Sequence, residues 1–101
     1  MNNFSIMVVD DEKTIRDGIS MVLDETYQVA TYPDAEKALA AMKKKQPDLV
    51  LLDIGLPGMS GIEALMTIRT EYPDVLVIMI TAYEDVDTVI SAMKSGAHDY
   101  V

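Results

Sequence analysis

The chain has no cysteine and a single histidine, His98, in 101 residues. Without cysteine there is neither a disulfide framework nor a thiolate metal site. A lone histidine with no His or Cys companion builds no imidazole metal set, and His98 is given no role. Basic residues are also scarce: 8 against 17 acidic ones, for a formal net charge of -9. Nucleic acids and anionic membranes bind basic footprints, so direct binding to either is disfavoured. A metal cation or a basic partner surface suits this charge. No apolar run approaches a membrane span, and the one after the polar stretch 1–5 is too short for a signal sequence. These absences fit a reducing cytoplasm. No linker, low-complexity tract or internal repeat interrupts the chain, so residues 1–101 read as one domain. Half of the residues are hydrophobic, enough for a core of modest margin.

What is present alternates between strand and helix. Phe4–Val9, Asp48–Asp53 and Val75–Ile80 are short, almost wholly apolar runs, the pattern of strands buried on both faces. Tyr27–Tyr32 alternates and reads as a more exposed strand. Between these lie stretches with helical spacing. Lys13–Glu25 carries Ile15, Ile19, Val22 and Leu23. Ala35–Lys45 offers Ala35, Ala38, Leu39 and Met42 to a core, with Asp34 as its cap and Lys43–Lys45 against its dipole. Gly61–Glu71 offers Ile62, Leu65, Met66 and Ile68. A helix capped by Asp85 or Asp87 runs to Ser95, with Val86, Val89, Ile90 and Met93 on one side and Gly96 to end it. His98–Val101 begins a fifth strand. The eight methionines read as core filler. Four βα units and an opening fifth strand predict a doubly wound α/β fold with a parallel sheet and right-handed crossovers.

In such a sheet the carboxyl ends of the strands form the ligand crevice. Asp10 and Asp11 follow the first strand, Asp53 ends the third and Thr81 follows the fourth. Alone, either Asp10 or Asp11 would read as a cap for the helix starting near Lys13, and Thr81 as a β-branched strand residue. Three acids on two strands call for a cation, because adjacent like charges oppose each other's ionisation. A hard divalent ion, Mg²⁺ or Mn²⁺, fits oxygen ligands. The loop at 54–60, IGLPGMS, frees backbone groups beside Asp53, and Gly55 could offer its carbonyl to the metal; the plainer reading is a flexible loop. A hydroxyl at Thr81 can donate to an anion held in the crevice.

From Ile6 to Val101 the chain resembles the receiver domain of two-component response regulators. The resemblance rests on the Asp10–Asp11 pair, Asp53 after LVLL, Pro57 and Gly61 in the next loop, Thr81–Ala82, and GAHDY at 96–100. It implies a flavodoxin-like strand order 2-1-3-4-5. Asp53 would be the phosphoacceptor, taking a phosphoryl group from a phosphohistidine of a sensor histidine kinase. Asp11, Asp53 and the Gly55 carbonyl would bind Mg²⁺ directly, and Asp10 largely through a water. Thr81 would contact the new phosphoryl group, and Tyr100 would be the switch aromatic. The output surface would be the fourth helix, fifth strand and fifth helix. The partners implied are the kinase, an effector domain outside this chain, and a second copy in a homodimer. Such a domain phosphorylates itself and is not an enzyme in the ordinary sense.

The resemblance also implies a lysine that would fall on the second residue past Val101, followed by a fifth helix. Lys13 and Lys94 are not at the right strand end to replace it. The 101-residue chain is therefore expected to bind Mg²⁺ weakly, to accept phosphate poorly, and to associate or fray through an uncovered flank. At Gly55, Tyr83 and Ser60 the residue differs from those often found in the family. Three other readings compete. A receiver-like docking module would work without phosphorylation. A Mg²⁺-dependent aspartyl phosphohydrolase would want two Asp spaced two apart on the first strand. A nucleotide-binding module would want a phosphate loop where DDEKT stands.

Overall fold

The computed structural model describes residues 3–80 and 86–101. Five strands, β1 (Ser5–Val9), β2 (Gln28–Tyr32), β3 (Leu49–Asp53), β4 (Leu76–Ile80) and β5 (Asp99–Tyr100), alternate with four helices, α1 (Lys13–Leu23), α2 (Ala35–Lys44), α3 (Gly61–Glu71) and α4 (Val86–Lys94). The strands form one parallel sheet in the order β2-β1-β3-β4-β5, the doubly wound arrangement expected. No helix among the described residues is long and apolar enough to cross a membrane.

The helix ends follow local chemistry. Asp34 accepts from the Lys37 N–H at 2.8 Å and caps α2, while Lys43 and Lys44 occupy its last turn. Gly96, at φ +107°, ends α4 in the left-handed region. At α4's start, Asp87 lies inside the first turn and so is not its cap, and Asp85 lies outside the described residues.

The core sits between one face of the sheet and α2, α3 and α4. Met7, Val9, Val50, Leu52, Val77 and Met79 meet Ala38, Met42, Leu65, Ile68 and Ala92 there. The other face carries α1 over β1 and β2. α1 has the helical spacing expected but buries no residue, and Ile15 and Val22 are 39% and 75% exposed. Over the rest of that face Leu51 and Ile78 are only half-buried. Methionine is likewise only in part a core filler. Met7, Met42 and Met79 are buried, whereas Met21, Met66 and Met93 are exposed. On α3 the buried positions are Gly61, Ala64, Leu65 and Ile68, with Ile62 half-buried against them. On α4 the buried residue is Ala92, while Ile90 and Met93 are exposed.

Candidate functional site

Val9 pairs with Leu52 in the β1–β3 ladder, so the residues that follow, Asp10 and Asp53, leave the sheet side by side. Together with Asp11 they form a cluster in which one carboxylate oxygen from each residue lies within 4.8 Å of the other two. The three environments differ: Asp10 is buried, Asp53 half-buried and Asp11 exposed.

Asp10 is held from three sides. Its N–H donates to the Tyr32 carbonyl at 3.1 Å, its Oδ1 accepts from the Glu12 N–H at 2.9 Å, and its carbonyl accepts from Arg16 Nη1 at 2.8 Å. Burial pushes the Asp10 carboxyl above the ordinary carboxylate range, and the neighbouring Asp11 charge adds to this. The Glu12 N–H and the Arg16 charge oppose it. Capping does not account for Asp10, since Glu12 is the N-cap of α1 and no side chain caps that helix. A buried carboxyl beside two more acids attracts positive charge. Three hard oxygen donors this close fit a small divalent ion such as Mg²⁺ or Mn²⁺.

Asp53 Oδ1 accepts from the Gly55 N–H at 3.0 Å, which turns the chain sharply after β3. The loop that follows is better anchored than its Gly and Pro content suggests. Ile54 and Leu56 are buried in the core, and Glu36 of α2 accepts from the Met59 N–H at 3.3 Å. Gly58 has φ +69°, a conformation that favours glycine. At the loop's end the Gly61 N–H donates to the Ile54 carbonyl at 3.2 Å, and Ser60 Oγ accepts from the Glu63 N–H at 3.2 Å to cap α3. A Ser three residues before a Glu at a helix start is a cap signal present in the sequence, and hydrophobic spacing alone misses it.

Of the other expected site residues, only Tyr100 is described, and it stands apart from the acids. Thr81 and Tyr83 lie outside the described residues. Tyr100 pairs with Met79 on β5, two strands from β3, and is 49% exposed. Lys13 pairs with Asp17 along α1 at 2.6 Å. His98 has a structural role at the sheet edge. Its Nδ1 accepts from the Val77 N–H at 3.0 Å, while its own N–H donates to the Val77 carbonyl at 2.8 Å.

Comparison with known proteins adds the family. Residues 6–101 match the model of the response regulator receiver domain. The chain is 38% identical over 98 residues to TcrX, a probable transcriptional regulatory protein of Mycobacterium tuberculosis, covering 96% of this chain and 42% of TcrX. The crystal structure of the receiver domain of NtrX from Brucella abortus superposes with a TM-score of 0.88 at 40% identity, over 95% of this chain and 82% of that one. A CheY-like receiver domain protein from Methanospirillum hungatei gives a TM-score of 0.93 at 31% identity, over 99% and 81% of the two chains. The chain spans less than half the length of the curated relatives it matches. With its fold, its acid cluster and these matches in agreement, the chain belongs to the response regulator receiver domain family.

Proposed function

We propose that residues 1–101 form the phosphoacceptor receiver domain of a two-component response regulator, with Asp53 as the acceptor. The supporting observation is the convergence of Asp10, Asp11 and Asp53 at the ends of adjacent strands. In this reading an Asp53 carboxylate oxygen forms a bond to phosphorus as the P–N bond to a kinase phosphohistidine breaks. The electron pair of that bond leaves with the imidazole, which takes up a proton from solvent.

Attack by one anion on another is limited by charge and position rather than by proton transfer. The chain's residues address position. Asp53 ends a strand in the middle of the sheet, and the Gly55 N–H fixes one of its oxygens. Asp10, Asp11, Asp53 and the Gly55 carbonyl would hold Mg²⁺, whose charge would offset that of the phosphoryl oxygens. Thr81 would contact the phosphoryl group and Tyr100 would report it to the output surface. Exposed Tyr100, Ile90 and Met93 on β5 and α4 provide apolar area for that surface. The proposed partners are a sensor histidine kinase and an effector domain. The net charge of -9 supports signalling through protein partners rather than direct nucleic-acid contact.

The test is intact mass after incubation with phosphoramidate and Mg²⁺. A gain of one phosphoryl group that disappears in Asp53→Ala supports the reading. Equal labelling of Asp53→Ala contradicts the assignment.

A further inference from the structure

Arg16 is the fourth residue of α1, and its side chain reaches back to the strand end. Nη1 donates to the Asp10 carbonyl oxygen at 2.8 Å, and its own N–H donates to the Glu12 carbonyl at 3.1 Å. Its side chain thus bridges α1 and the acid pair. The contacted carbonyl belongs to the peptide unit that joins Asp10 to Asp11. A peptide is planar, so fixing the direction of its carbonyl fixes the direction in which Asp11 departs. The other two polar groups of Asp10 are held by β2 and Glu12. Arg16 supplies the remaining restraint, on the link to its exposed neighbour.

We propose that Arg16 is a positioning residue for the metal-binding acids, orienting the Asp10–Asp11 peptide so that both carboxylates face Asp53. This rests on the reading of the three acids as a Mg²⁺ site. In this role Arg16 acts through the Asp10 carbonyl.

Two physical effects of Arg16 have opposite signs. Its positive charge near the acids repels an incoming cation, so charge alone would make its removal tighten Mg²⁺ binding. Its hydrogen bond orders the ligands before the metal arrives, so loss of positioning would weaken binding. A merely structural arginine would alter melting temperature and leave the affinity of the folded chain unchanged.

The test is Mg²⁺ titration of the 101-residue chain, followed by calorimetry and by the amide NMR shifts of Glu12 and Gly55. Arg16→Met keeps the aliphatic stem and removes both donor and charge. It is expected to bind Mg²⁺ about tenfold more weakly than wild type, the scale for loss of a group that orients a ligand. Arg16→Lys keeps the charge and one donor but loses the planar fork, and is expected to fall between, about threefold weaker. Unchanged or tighter Mg²⁺ binding by folded Arg16→Met overturns the proposal. If Arg16→Met does not fold, wild-type affinity in Arg16→Lys overturns it. Absence of Mg²⁺ binding by the wild-type chain overturns the metal reading and this inference with it. Wild-type binding that Arg16→Met retains overturns the inference alone.

Discussion

Gly61 lies so close to Asp53 that a Cβ at position 61 would overlap the Asp53 backbone carbonyl and come within 2.7 Å of the Ile54 Cα. The atoms in the way are backbone, which cannot swing aside as a side-chain tip can. The first turn of α3 is therefore packed directly against the end of β3, where the candidate acceptor stands. Gly61→Ala is expected to cost about 2–3 kcal/mol, the scale of overpacking in a dense interior. Denaturant unfolding would show the loss, and Mg²⁺ affinity should fall as Asp53 is displaced.

Ser60 separates a capping role from a site role. Its Oγ accepts from the Glu63 N–H, so Ser60→Ala should destabilise the chain by about 1 kcal/mol. Ser60→Asp keeps an acceptor and places negative charge at the helix N-terminus, so its thermal midpoint should match or exceed wild type.

Asp10 sets a pH dependence whose sign can be worked out. Its carboxyl is raised in the folded chain, chiefly by burial, so the folded state holds a proton that the unfolded state has already released. Stability of the metal-free chain therefore falls as pH rises from the ordinary carboxylate range through the raised value, and recovers as pH is lowered through the same window. Asp10→Asn should remove this dependence, retain the bond to the Glu12 N–H, and be more stable than wild type without metal at neutral pH. Mg²⁺ should reverse the ranking. At a hundred times its dissociation constant, Mg²⁺ should stabilise wild type by about 2.7 kcal/mol. Chelator should return the wild-type melting curve to its metal-free position.

His98 completes the edge of β4 with its side chain. Two-residue β5 begins too late to offer Val77 a backbone acceptor, and His98 Nδ1 takes that place. His98→Ala should cost about 1 kcal/mol and speed hydrogen exchange at Val77 and Val101, the residues at the two ends of the β4–β5 contact. His98→Asn, with a side-chain oxygen in reach, should recover part of the protection.

The sequence made the fold legible because apolar runs bounded by Gly, Pro and Asp leave few alternatives to four βα units. Asp10, Asp11 and Asp53 could be grouped for the same reason: strand ends in a parallel sheet meet at one edge. Spacing identifies which residues share a helix face, not what that face meets. Ile15 and Val22 have core spacing, yet among the described residues α1 is the one helix on the face opposite α2, α3 and α4. The bonds of Arg16, Glu36 and His98 were not legible. Each is a contact of a polar side chain with backbone six or more residues away, and no local pattern encodes it.

The proposed function makes Asp53 the acceptor of a phosphoryl group in a Mg²⁺-dependent reaction. Its most direct test is site mapping by mass spectrometry after reaction with phosphoimidazole, with and without chelator. The expected result is a single phosphorylated residue, Asp53, formed only when Mg²⁺ is present. Label on another residue, or label on Asp53 that forms equally well with chelator, would contradict it.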